Sequence, residues 1–141
     1  MQTDDFLHDL VRLAFHAFEG QLERATITHG VSRGQWRMLR QLWRSNGICQ
    51  HELAGLLGVS DATAAVALRE LEKKGLVDRR RNIGNRREVL IFLTPHGDAL
   101  EHVLVSVARH INDLATRDIP KCQMRALENL LRRVVGNLDR G

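Results

Sequence analysis

Apolar side chains recur along this chain with helical spacing, except in one short middle stretch where the pattern turns to paired strands. From Phe6 the apolar positions are Phe6, Leu7, Leu10, Val11, Leu13, Ala14, Phe15, Ala17, Phe18 and Leu22. The i, i+3, i+4 spacing predicts a first helix, with Asp4 or Asp5 as its cap. Its stripe is wide for a terminal helix, so we expect it to pack against more than one neighbour, a second subunit being one candidate. Residues 26–31 (TITHGV) form a connector punctuated by Gly30. Ser32-x-x-Gln35 is a capping box, in which each end satisfies an orphan backbone donor. The helix it opens runs through Trp36, Leu39, Leu42 and Trp43 and stops at Ser45-Asn46-Gly47.

Ile48 leads into a short helix, Cys49 to Leu57, whose inward side is Leu53, Ala54, Leu56 and Leu57. Gly58-Val59 makes a tight turn, and Ser60 caps a helix reaching about Lys74. In that helix Ala64, Ala67, Leu68 and Leu71 face inward, leaving Asp61, Ala62, Thr63, Ala65, Val66 and Arg69 outward. Gly75 stands where a left-handed terminator belongs. Leu76 to Arg81 and Glu88 to Leu93 read as strands. Asn82 to Arg87 (NIGNRR) is then the polar, basic tip of a hairpin. Thr94-Pro95 starts another helix, an N-cap followed by Pro at the first helical position. It should bury Leu100, Val103, Leu104, Val107, Ile111 and Leu114. Pro120 breaks the chain or opens a last helix striped by Met124, Leu127, Leu130, Leu131, Val134 and Leu138.

The predicted fold is mostly α with a small β-hairpin wing. Two helices joined by a short Gly-containing turn are a helix-turn-helix signature, here followed directly by the hairpin. We divide the chain, without any long linker, into residues 1–31, a winged lobe at 32–97, and two terminal helices at 98–141.

A length of 141 residues, 43% of them hydrophobic, suits one domain with a sizeable core. No apolar run approaches the ~20 residues of a membrane helix. The acidic start (MQTDDFLHDL) lacks the basic region of a secretory signal, so a cytoplasmic location is expected. Cys49 and Cys122 read as two reduced thiols rather than a disulfide framework.

Charge sharpens the picture by its placement. Between Arg69 and Glu88 stand eight basic and four acidic side chains, a local excess equal to the +4 of the whole chain. A basic patch on a neutral body suits a polyanionic partner. A helix reading the major groove needs small or polar residues in its first turns, so that its backbone can approach the DNA. Residues 60–66 (SDATAAV) meet that requirement. Ser60 and Thr63 can donate to phosphates or bases, aided by the positive end of the helix dipole. Asp61 and Ala62 share the outward face, and Ala65 and Val66 can meet thymine methyls. Arg69 has the longest reach. Arg86 and Arg87 at the wing tip suit the enhanced negative potential of a narrow minor groove.

Catalytic patterns are poor. The seven His residues form no H-x-x-x-H or H-E-x-x-H pair, and there is neither a Gly-rich phosphate loop nor a nucleophile elbow. No cofactor or metal is expected, and no enzyme activity. A metal site built from His102 and His110 with His8 or His16, or thiol sensing through Cys49, remains a rival reading. A winged-helix module that binds protein instead of DNA is another.

Ser32 to Gly97 resembles the winged-helix core of the MarR (multiple antibiotic resistance regulator) family. The matching stretches are VSRGQWRMLRQL, HELAGLLGVSDATAAVALRELEKKGLVDRRR and NRREVLIFLTPHG, and the flanking helices match in kind. The resemblance implies a homodimer whose N-terminal and two C-terminal helices interlock, bound to double-stranded DNA at a pseudo-palindromic site. It implies a transcriptional regulator, a repressor in the first instance. It also implies a crevice for a small-molecule effector, for which Phe15, Phe18, Trp36, Arg40 and Trp43 are the candidates. By family position Arg87 is the minor-groove residue. Two departures stand out: the family usually has Asp where this chain has Asn85, and the positions of Ala65 and Val66 are often polar. The family's peroxide sensors carry a Cys in the first helix, where this chain has Phe15 and no Cys.

Overall fold

The computed structural model describes residues 6–141, so the expected cap at Asp4 or Asp5 lies outside the described residues. Helix α1 (Leu7–Thr26) follows Phe6 without a side-chain cap, and a single 3-10 turn at Ile27–His29 closes on left-handed Gly30. Helix α2 (Arg33–Arg44) opens with the expected capping box: Gln35 N donates to Ser32 Oγ at 3.3 Å and Ser32 N to Gln35 Oε1 at 3.1 Å. Helices α3 (Gln50–Leu57) and α4 (Asp61–Lys73) flank the turn at Gly58, whose φ of 66° is the left-handed conformation glycine adopts without strain. Strands β1 (Val77–Arg81) and β2 (Val89–Leu93) pair antiparallel, with Val77 opposite Leu93 and Arg81 opposite Val89. Helix α5 (Pro95–Ala115) is capped by Thr94, and Pro120 opens α6 (Lys121–Asp139) rather than breaking a helix. The fold is therefore six α-helices and a two-stranded hairpin among the described residues.

The core lies where α2, α3, α4 and the hairpin meet α5. Leu39, Leu42, Leu53, Leu68, Leu71, Val77, Ile91 and Leu104 are fully buried there, with Val31 from the connector. At Gly97 the first turn of α5 rides directly on the chain entering β1. A Cβ at this position would fall 2.1 Å from Leu76 O. Trp43 Nε1 donates to Gly97 O at 3.1 Å and ties α2 to the same point.

Four expectations need correction. Ile48 and Cys49 are extended, not helical: Gly47 N donates to Ile91 O at 2.8 Å and Ile91 N to Ile48 O at 2.9 Å, so this stretch covers the outer edge of β2. Leu56 points to solvent because Leu53 and Ala54 already fill the inward side of α3. Ala65 is half-buried rather than outward. Of the α5 stripe only Leu104 and Ile111 are buried, while Val103 and Leu114 are exposed, and α6 buries none of its stripe. The apolar residues of early α1, from Phe6 to Phe15, are likewise exposed. Among the described residues of a single copy nothing covers these faces.

Candidate nucleic-acid interface

Helix α4 presents its first two turns outward, past the turn that joins it to α3. Ser60 Oγ accepts from Thr63 N at 3.1 Å and donates its own proton to Thr63 Oγ1 at 2.9 Å. The Ser60 hydroxyl is thus spent on the helix end, and the Thr63 hydroxyl keeps its proton to donate elsewhere. Ala62, Thr63, Val66 and Arg69 are exposed along the same helix. Asp61 is engaged: His51 Nδ1 lies 3.0 Å from each of its carboxylate oxygens. His51 stands in the first turn of α3, so the pair bridges the two helices at their exposed ends. Sequence reasoning missed it, because two first-turn residues ten positions apart follow no helical or strand period.

The wing tip is two consecutive tight turns. Asn85 N donates to Asn82 O at 3.2 Å, and Glu88 N to Asn85 O at 3.0 Å. The asparagine side chains pin both: Gly84 N donates to Asn82 Oδ1 at 3.0 Å and Arg87 N to Asn85 Oδ1 at 3.2 Å. Asn82 Nδ2 donates further to Glu88 Oε2 at 2.9 Å. Ile83 and Gly84 occupy the apex of the first turn, Arg86 and Arg87 that of the second. Asn85 supplies through its amide oxygen the acceptor that an aspartate would supply, so the second turn is held without a carboxylate at that position.

The eight basic residues of this region divide sharply. Arg79 forks onto Glu72, both contacts at 3.3 Å, and straps β1 to the last turn of α4. Hydrogen bonding to Arg79, reinforced by its charge, holds the Glu72 carboxyl below its ordinary value. Arg80 lies over the Phe92 ring, 4.5 Å from its centre, and 3.9 Å from Asp78. Lys73 pairs with Glu70 at 3.4 Å. Lys74 Nζ donates to Gly30 O and, at 2.7 Å, to Gln35 Oε1, joining the end of α4 to the connector. Arg81 Nη1 donates to Arg86 O at 3.2 Å. Arg69, Arg86 and Arg87 are the three whose guanidinium groups meet no protein partner among the described residues. They stand on the outward face of α4 and on the wing tip.

The residues read as an effector crevice are not all in one place. Trp36 is 6% exposed, within the core, edge-on to Trp43 at 5.8 Å between ring centres. Trp43 is fixed by its bond to Gly97. Phe18 and Arg40 do meet, in an open cleft of about 390 Å³ between α1, α2 and α5 that Leu22, Val105, Ala108 and Arg109 also line. The Arg40 guanidinium leans toward the Trp36 ring, 6.0 Å from its centre. Arg109 was missed because it interrupts an apolar stripe and reads as solvent-facing. Phe15 lies elsewhere, with Leu7, Val11, Val134 and Leu138, in a cleft of about 620 Å³ between the start of α1 and the end of α6. Among the described residues no three His, Cys, Asp or Glu side chains are grouped to hold a metal ion. Cys49 is half-buried at the start of α3 and Cys122 is exposed. No helix of the described residues is long and apolar enough to cross a membrane.

Comparison with known proteins finds a match between residues 31–89 and the model of the MarR family. A putative transcriptional regulatory protein for the hcr operon of Thauera aromatica is 29% identical over 130 residues, 86% of this chain and 78% of its own. Among solved structures, a MarR transcriptional regulator from Methanosarcina mazei Go1 superposes with a TM-score of 0.90 at 25% identity, covering 96% of this chain and 97% of its own. A putative MarR family transcriptional regulator from Listeria monocytogenes, complexed with 26mer DNA, gives 0.84 at 25% identity over 96% and 90% of the two chains.

Proposed function

We propose that this chain, which belongs to the MarR family and is a DNA-binding transcriptional regulator, works as a homodimer on a pseudo-palindromic site. The observation that carries the proposal is the division of charge. Five basic residues are committed to protein partners, and the three left over sit on the outward face of α4 and the wing tip. Three guanidinium groups left unpaired together on two adjoining elements can take a polyanion's phosphates in charge-assisted hydrogen bonds without breaking any protein ion pair. In this reading the first turns of α4 enter the major groove. There Asp61, Ala62, Ala65 and Val66 line the approach, Ser60 sets the helix end, and Thr63 and Arg69 make polar contacts. Arg87 enters the adjoining minor groove, with Arg86 on the phosphates.

The uncovered apolar faces of early α1 and of α6 supply the dimer contact, since exposed Leu, Val and Phe in such number are stable only against a partner. Two lobes then read two half-sites about one DNA turn apart. The cleft holding Phe18, Arg40 and Arg109 suits an effector with an apolar body and an acidic group, because two cations line it and no carboxylate does. Binding there would favour a dimer whose α4 helices are wrongly spaced and so release DNA. A dimer seated over promoter DNA blocks transcription, which makes repression, in the cytoplasm, the expected output.

The test is selection of duplexes from a random library with the intact protein, followed by footprinting. Two protected half-sites and affinity well above random DNA at ~150 mM salt are expected. Equal affinity for selected and random DNA overturns specific recognition. Arg87→Ala should weaken binding at least about tenfold; an unchanged affinity removes the wing from the mechanism.

A further inference from the structure

Ile83 is the most exposed large apolar side chain among the described residues, at 99%. Single exposed apolar residues on a helix surface are commonplace, but Ile83 is placed differently. It occupies the apex of a turn held by Asn85 N on Asn82 O, Gly84 N on Asn82 Oδ1, and Asn82 Nδ2 on Glu88 Oε2. A turn pinned so closely fixes where its apex points, and nothing among the described residues covers the side chain there. The next turn, pinned in the same way, carries Arg86 and Arg87. The tip of the wing thus offers an apolar head and a cationic head side by side.

We infer that Ile83 is a further DNA-contact residue, entering the minor groove with Arg87 and packing against its deoxyribose walls. The inference rests on the DNA-binding reading above. The minor groove is about 6 Å wide, and its walls are sugar C–H groups that a guanidinium does not dehydrate well. A branched aliphatic side chain does. Minor-groove proteins use apolar insertions for this purpose beside their cationic contacts. The two heads therefore divide the work: Arg87 answers the groove's negative potential, and Ile83 answers its width. Narrow A·T-rich grooves bring both walls onto Ile83, whereas wider G·C-rich grooves lose one wall. Ile83 would thereby give the wing a shape preference without a hydrogen bond to any base.

An apolar contact releases no counterions, so its loss has a signature distinct from that of an arginine. The experiment measures Kd against salt, on the duplex recovered by selection, for the parent, Ile83→Asn, Ile83→Val and Arg87→Ala. Ile83→Asn should bind about 5- to 30-fold more weakly at every salt concentration, with an unchanged salt slope. Ile83→Val should stay within about fourfold of the parent, the worth of one methylene. Arg87→Ala should instead flatten the slope by about one. An unchanged Tm for Ile83→Asn, expected for so exposed a residue, separates a lost contact from a lost fold. Replacing A·T by G·C at the wing-facing positions of the footprint should cost the parent more than Ile83→Asn. Binding of Ile83→Asn within about twofold of the parent overturns the inference while leaving the DNA reading intact. A selection that recovers no preferred duplex overturns the DNA reading, and Ile83 with it.

Discussion

Replacing Gly97 by alanine adds one methyl group where the structure has no room for it. The new carbon would lie 2.1 Å from Leu76 O, against an ordinary carbon–oxygen separation of about 3.3 Å or more. The φ angle of Gly97 is not in the left-handed region, so the destabilising effect is steric, opposed only by the small helix-propensity gain of alanine. Relief requires the start of α5 to lift from the chain entering β1 by about 1 Å. That movement breaks or stretches two bonds that converge there, Thr94 N to Leu76 O at 3.1 Å and Trp43 Nε1 to Gly97 O at 3.1 Å. At about 1 kcal/mol for each bond and about 1–3 kcal/mol for overpacking, the expected loss is about 3–5 kcal/mol. For 141 residues the unfolding entropy is about 0.3 kcal/mol per kelvin, so Tm should fall by about 10–17 °C. Urea denaturation of Gly97→Ala against the parent checks the figure. Gly55→Ala is the internal control: its added carbon meets nothing within 4 Å, and helix propensity should stabilise it by about 0.5–1 kcal/mol. A loss below about 1 kcal/mol for Gly97→Ala would show that the contact relaxes freely and would refute the argument.

His51→Ala removes the hydrogen-bond partner that holds the Asp61 carboxylate against α3; DNA affinity by fluorescence anisotropy should drop about two- to fivefold, and Asp61→Asn in that background should restore it. If His51→Ala binds like the parent, the pair has no part in DNA binding. Glu72 has its pKa lowered by Arg79, so the strap stabilises the wing above the ordinary carboxylate range and is lost as pH falls through the depressed value. Protection of the β1 amides in native-state hydrogen exchange, relative to their intrinsic rates, should fall below about pH 4.5 in the parent and be less pH-sensitive in Glu72→Gln; identical profiles would discount the strap. Leu130→Asp with Leu131→Asp, both on exposed α6 positions, should convert the protein to monomers in sedimentation and reduce DNA affinity at least about a hundredfold. Dimers that persist would place the interface elsewhere.

What could be read from the residues depended on how local the cause was. Ser32 with Gln35, Ser60, and Thr94 with Pro95 announce helix starts because the partners lie within three positions, and all three caps are present. Gly75 and Gly58 announce turns for the same reason. The extended stretch at Ile48 and Cys49 was illegible, since its structure comes from β2, about forty residues on, and its own pattern is too short to show a period. Trp36 offered the opposite difficulty. An aromatic stripe on α2 suits a crevice and a core equally, and only packing against the rest of the chain assigns Trp36 to the core and Phe18 with Arg40 to the cleft. The basic stretch was visible as an excess of charge. Its division into paired and free cations was not, because Arg79–Glu72 and Lys74–Gly30 are cross-element contacts.

The seating of α5 has a mechanical consequence. Its first turn is locked into the DNA-binding lobe through Thr94, Gly97 and Trp43, while its far half packs against α1. The 21 residues between make a rod about 31 Å long. Pivoting such a rod by only about 5° carries its end through nearly 3 Å, several times the error a hydrogen bond to a base edge tolerates. The lobe need not unfold, nor α4 bend, for DNA to be lost. A few degrees at one end of a stiff strut are enough, so the effector response proposed above requires no larger motion than that.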